Sequence, residues 1–228
     1  MAPATEIVFL PLKEGDKPED GTTESGQKFA ELAQTILAQE GCQFLSFGRQ
    51  VEHPNICNLF INWDAVDYHT KFIASPEYKP FFEKILSVID GNPSFYHVHF
   101  DPHPPNKALV GTEPMATEII TAYFPLDYSP EDQKTFDDGM KTFASVFEGS
   151  ANGFIGAFGG WVVEELDIPN TSEKGKVYVA LIGWTSVEAH MKCRETQTFK
   201  DNVHYLRGAK DLKAINVFHV PSQEVLKA

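Results

Sequence analysis

One seven-residue stretch occurs twice in this chain. Residues 63–69 read Trp-Asp-Ala-Val-Asp-Tyr-His and residues 184–190 read Trp-Thr-Ser-Val-Glu-Ala-His. Trp, Val, an acidic residue and His hold the same offsets in both. Each copy follows an apolar run, 59–62 or 180–183, and precedes a polar stretch ending in an aromatic, Tyr78 or Phe199. A matched heptapeptide with matched flanks indicates a tandem duplication. The chain must therefore build one supersecondary unit twice.

The 228 residues then divide into a first repeat over 1–104, a linker over 105–114 and a second repeat over 115–228. The linker region is marked by Pro102, Pro104, Pro105 and Pro114. Within the first repeat, Thr5 to Leu12 reads as a strand. Phe29, Leu32, Ala33, Ile36 and Leu37 recur at helical spacing, and Gly41 is a natural stop. Phe44 to Val51 and Ile56 to Trp63 read as strands around a His53-Pro54-Asn55 turn. Asp64 is placed to cap the helix that carries His69, a further helix follows from Pro76, and Ser94 to Phe100 closes the unit. The second repeat echoes this order: Thr117-Glu118-Ile119 matches Thr5-Glu6-Ile7, residues 186–207 read as helix, and His219 is set equivalent to His99.

The order strand, helix, strand, strand, helix, strand is the ferredoxin-like arrangement. A four-stranded sheet with both helices on one face leaves the other face bare, and burying it needs a partner sheet. The expected fold class is α+β, with two ferredoxin-like βαββαβ repeats forming an intramolecular dimeric α+β barrel. A pseudo-dimer of this kind leaves room for further homodimerisation.

With these elements and the Trp184–His190 and Trp63–His69 motifs, the chain resembles the dimeric α+β barrel superfamily. Within it, the chain is similar to tandem forms of the antibiotic biosynthesis monooxygenase and stress-responsive A/B-barrel families, over residues 5–100 and 117–220. The resemblance implies a cofactor-independent monooxygenase or cyclase acting on a small aromatic, polyketide-like molecule. A non-catalytic small-molecule-binding or stress-responsive role is the alternative. The plant polyketide cyclases of this fold use a Tyr and a His in the second helical region; the matching places here hold Phe72 and Tyr78, and Cys193 and Phe199. Haem-degrading members use a helical His where this chain has Phe82 and Val203.

Composition narrows the partners. The formal charge is −13, with 8 basic and 15 acidic side chains in residues 1–110 and 11 and 17 in the remainder. Two acidic halves without a Lys/Arg cluster argue against nucleic acid and against anionic membranes. Cys42, Cys57 and Cys193 form neither a disulfide framework nor a zinc pattern. No long apolar run is present, so a cytoplasmic protein of a reducing compartment is expected.

His69 and His190 are the candidate catalytic residues. Each lies three residues after a Val, on the helix stripe that faces the sheet. There an imidazole can move protons for a bound phenol or enol, or else satisfy a strand carbonyl. The expected ligand-binding set is Trp63, Trp184, Trp161, Phe158 and Tyr123. Trp63 and Trp184 either wall a flat ligand or belong to the core. His97 and His99 share a strand face, the nearest approach to metal geometry, but no tightly spaced carboxylate accompanies them. No metal and no cofactor is expected. The glycine-rich strand of Gly153, Gly156, Gly159 and Gly160 suggests a bulge or bare backbone open to a ligand. With the acidic loop 164–175 as a lid, it makes repeat two the preferred pocket.

Overall fold

A computed structural model describes residues 2–110 and 115–227. The chain forms two compact units. Unit 1 comprises residues 1–97 and 222–228, and unit 2 comprises residues 98–221.

Unit 1 contains β1 (Ala4–Pro11), α1 (Glu24–Leu37), β2 (Cys42–Arg49), β3 (Ile56–Trp63), α2 (Val66–Ile73), α3 (Tyr78–Val88) and the first half of β4 (Ser94–Asp101). The strand order is β2-β3-β1-β4, which is the ferredoxin-like order. Strand alternation sends Val8, Leu10, Leu59, Ile61 and Trp63 to one face, where they pack with Phe29, Leu32, Ile36 and Phe81 of the helices. The other face carries Thr5, Asn58 and Asn62, all buried. Thr5 donates to the Asn62 side chain at 2.7 Å, and Asn58 donates to the Val8 carbonyl at 3.0 Å. These bonds satisfy polar groups that burial would otherwise penalise.

Local chemistry sets the helix ends. Thr23 caps α1 by accepting from the Gly26 amide at 3.0 Å. Gly41 takes φ +79°, and the Tyr68 ring lies where a Cβ would stand, so this stop depends on glycine. The cap expected of Asp64 is not made. Ala65 is the N-cap of α2 and gives no side-chain bond, while Asp64 accepts from Gln43 instead.

Unit 2 contains α4 (Asn106–Leu109), β5 (Ala116–Pro125), α5 (Pro130–Phe147), β6 (Phe154–Val162), β7 (Leu166–Asp167), β8 (Lys174–Trp184), α6 (Val187–Glu195), α7 (Gln197–Asn202), α8 (His204–Arg207) and β9 (Ala214–Val220). The order β6-β8-β5-β9 repeats that of unit 1, and the second half of β4 pairs with β6 at the edge. The chain then returns to unit 1, where β10 (Gln223–Glu224) pairs with β2. Ser129, Pro130 and Asp132 open α5 with a reciprocal cap: Asp132 donates its amide to the Ser129 hydroxyl at 3.1 Å, and that hydroxyl donates to the Asp132 carboxylate at 2.7 Å. The helix expected over 186–207 is broken into three, and the first break falls where Thr196 caps α7 by accepting from the Phe199 amide.

Both units thus have the expected fold class: α+β, ferredoxin-like βαββαβ repeats of the dimeric α+β-barrel class. The segment read as a linker includes α4. Its Ala108 carbonyl accepts from Thr117, and its backbone lies 3.0 Å from where a Cβ on Gly183 would stand. The rest of that stretch, residues 111–114, lies outside the described residues.

Candidate functional site

In unit 1, β1 places Glu6 on the same face as Val8 and Leu10, a charged side chain within an apolar stripe. Glu6 is buried, and the indole N–H of Trp63 donates to its carboxylate at 2.8 Å. Helix α2 brings His69 alongside. Its Nδ1 lies 3.4 Å from the same Glu6 oxygen and 2.9 Å from Nε2 of His97 on β4. The His69 ring stacks on Trp63 at a centroid distance of 5.4 Å and an interplanar angle of 10°. A buried carboxylate needs hydrogen-bond donors, and here the Trp63 indole supplies one.

Unit 2 repeats the arrangement. Trp184 donates to Glu118 at 2.9 Å, Nδ1 of His190 lies 2.7 Å from Nε2 of His219, and Trp184 stacks on His190 at 5.0 Å. Here it is Nε2 of His190 that lies 3.4 Å from Glu118. The imidazole therefore bridges the carboxylate and the second histidine through its two nitrogens. In unit 1 a single nitrogen faces both partners. Ligand atoms of Glu6, His69 and His97 converge within 4.8 Å of one another, a set that could hold a metal ion.

In each unit the carboxylate, the tryptophan and the helix histidine line a cavity between sheet and helices, whereas His97 and His219 are outside the lining. The unit 1 cavity encloses about 360 Å³ and is lined by Glu6, Trp63 and His69 together with Phe72, Phe81 and Phe95. The unit 2 cavity encloses about 380 Å³ and is lined by Glu118, Trp184 and His190 together with Phe143, Phe147 and Phe199. Both volumes fall in the size class of small-molecule pockets, apolar with a few convergent polar groups. Exposed residues, Phe95 in one and Val217 in the other, bring each cavity to the surface.

The structure gathers His69 with Trp63 and His190 with Trp184. It sets the other expected ligand residues elsewhere. Trp161 packs among Phe124, Tyr128, Phe136 and Tyr178. Phe158 lines a separate hollow of about 270 Å³ beside Asp101 and Lys141. Tyr123 is half-buried on β5, and burial raises its phenol despite a hydrogen bond with Asn216. The glycine-rich strand contains a bulge between Phe154 and Gly156. Its bare backbone is already occupied: a Cβ on Gly159 would meet the Tyr178 hydroxyl at 1.8 Å, and one on Gly160 the His99 carbonyl at 2.2 Å. The loop 164–175 forms β7 against β8 and lines neither cluster cavity.

Two sequence assignments change. The partner of His219 by position is His97, not His99: His97 is buried beside His69, while His99, two residues further along β4, is exposed. Glu6 and Glu118 were not singled out. The signal was present, since each Thr-Glu-Ile triplet puts a carboxylate on the inward face of a strand at the same offset in both copies.

No protein-family model matches the chain, and no curated protein matches it. Solved structures do. An anthrone oxidase-like protein aligns over 100% of this chain and 97% of its own, at 16% identity and a TM-score of 0.65. A protein named as a candidate monooxygenase from Lactobacillus acidophilus NCFM aligns over 100% and 97%, at 13% identity and a TM-score of 0.61. A second, from Fusobacterium nucleatum subsp. nucleatum, aligns over 98% and 94%, at 12% identity and a TM-score of 0.60. At such identities the likeness is one of fold, over the full length of the chain. The fold read from the two Trp–His motifs is therefore found in three dimensions. Among the described residues no helix is long and apolar enough to cross a membrane.

Proposed function

We propose that this protein binds a small planar aromatic molecule in its sheet–helix cavities and acts on it without an organic cofactor, as a monooxygenase or cyclase. His190 and His69 accept the proton. The observation that supports this reading is the repeated placement of a buried carboxylate and a helix histidine in the lining of an apolar cavity of ring-system size, with a second histidine within hydrogen-bond distance of the first. In unit 2, Glu118 beside Nε2 of His190 favours the imidazolium that forms when His190 takes a proton, and His219 lies within hydrogen-bond distance of the other nitrogen. Removing a proton from an anthrone-like C–H or phenolic O–H leaves a carbanion or enolate with its charge spread over the rings. In a monooxygenase that anion reduces O2, and conversion of CH2 to C=O consumes one O2 and releases one water. In a cyclase the same anion attacks a carbonyl within the substrate. One structural neighbour is named for an anthrone oxidase, a name that fits this chemistry.

A second reading, a non-catalytic binding protein, draws on the burial of both histidines and their stacking on tryptophan, which also suits a purely structural role. A thermal-shift screen of anthrones and polycyclic phenols, followed by turnover in air and under argon, separates the readings. A stabilising ligand consumed only in air identifies a monooxygenase, and one consumed in both identifies a cyclase. A stabilising ligand left unchanged identifies a carrier. If no such compound raises the melting temperature, the proposal fails.

A further inference from the structure

We infer that the two cavities have diverged in the charge of the ligand they take: unit 2 accepts an aromatic anion such as a ring carboxylate, and unit 1 an uncharged aromatic. This inference rests on the reading that the cavities bind small aromatic molecules. The offset that superposes Trp63 on Trp184 and His69 on His190 also pairs Ile73 with Arg194 and Leu86 with Arg207. Ile73 lines the unit 1 cavity, and both Ile73 and Leu86 are exposed, at 37% and 40%. Arg194 and Arg207 both line the unit 2 cavity and are exposed. The duplicated scaffold thus carries two aliphatic side chains in one copy and two guanidinium groups in the other.

These arginines are conspicuous for what surrounds them. The chain has 32 acidic and 19 basic side chains, so a surface cation readily finds a carboxylate. Among the described residues neither Arg194 nor Arg207 is in an ion pair, and Arg194 contacts the Met191 sulfur at 3.8 Å. Among the described residues, the other titratable groups lining the unit 2 cavity are Glu118 and His190, and no Lys or Arg lines the unit 1 cavity. Guanidinium groups match a carboxylate in shape and charge. A ligand carboxylate at the arginines keeps away from Glu118, so charge alone orients the ligand with its ring toward Trp184 and His190.

The test is binding of 2-naphthoate and of its methyl ester, an uncharged analogue of similar shape, to the full-length protein. Calorimetry gives affinities, and the indole N–H resonances of Trp63 and Trp184 report which cavity is filled. The expected result is naphthoate at Trp184 and ester at Trp63. Combining Arg194→Gln with Arg207→Gln should weaken naphthoate about tenfold, and added salt should act in the same direction. Ester binding should not change. The reciprocal variant, Ile73→Arg with Leu86→Arg, should bring naphthoate to Trp63. Unchanged naphthoate affinity in the double Gln variant, or equal weakening of acid and ester, overturns the charge assignment while leaving aromatic binding intact. If neither compound perturbs either indole, the underlying reading fails and this inference with it.

Discussion

Trp184 donates its indole N–H to the Glu118 carboxylate at 2.9 Å, and Trp63 stands in the same relation to Glu6 at 2.8 Å. A strand carboxylate and the tryptophan that ends a neighbouring strand are thereby locked together under each imidazole. Both halves of the chain keep this pair, which makes it the organising contact of the site.

Glu118→Leu should therefore destabilise the protein by about 1–3 kcal/mol, because it leaves the buried indole N–H of Trp184 without its acceptor. Glu118→Gln keeps an acceptor for the indole and should cost less. Denaturant unfolding of the two variants measures the difference. Equal stability of Leu and wild type would mean that the carboxylate contributes nothing to the fold.

The repeat made much of this architecture legible. The Trp–Val–acid–His spacing placed both histidines on the sheet side of a helix, and the alternation of Cys57, Leu59, Ile61 and Trp63 placed the tryptophan on the same face. The carboxylate escaped notice because strand periodicity reads Glu6 only as a polar position among Ile7, Val8 and Phe9. Its role depends on β1 pairing with β3, with Glu6 opposite Ile61, a contact between residues far apart in sequence. His97 was seen as a metal candidate with His99, but alternation gives the two the same strand face and does not tell them apart; what does is the packing of His97 against His69, a contact between residues 28 apart in sequence. The arginines of unit 2 carry no local signal, and only superposing the repeats sets them against Ile73 and Leu86.

The strand glycines give a graded prediction. Gly156→Ala meets nothing closer than Lys107 at 3.6 Å and should be tolerated. Gly160→Ala drives a methyl into the His99 carbonyl, and Gly159→Ala drives one into the Tyr178 hydroxyl, which is held by Asp137 at 2.9 Å. Each of the latter two should cost about 1–3 kcal/mol, as overpacked sites do. Melting temperatures in the order Gly156→Ala above both others would bear this out. A stable Gly160→Ala protein would mean that β4 and β6 do not approach as described.

The cysteines predict an alkaline limit. Burial pushes the Cys42 thiol from 9.0 up to about 12, and burial raises Cys57 and Cys193 as well. A folded-state value above the unfolded one favours the protonated, folded form below the unfolded value. That contribution is lost as pH rises from about 9 toward about 12. Stability should therefore fall across this window, less steeply in a Cys42→Ala variant. Native thiols should also resist alkylation at pH 8, because the thiolate is the reactive form. Rapid labelling of all three cysteines in folded protein would contradict their burial.

If the buried histidines move protons for a ligand in the cavities, turnover should depend on them. Oxygen uptake on an anthrone and on an anthrone carboxylate by wild type, His69→Gln, His190→Gln and the double variant, with melting temperature recorded for each, measures that dependence. Glutamine keeps a hydrogen-bonding amide but cannot act as the base. The double variant should stay folded and lose turnover by about 100-fold or more, while each single variant silences its own cavity. A folded double variant that consumes oxygen as fast as wild type would contradict that dependence.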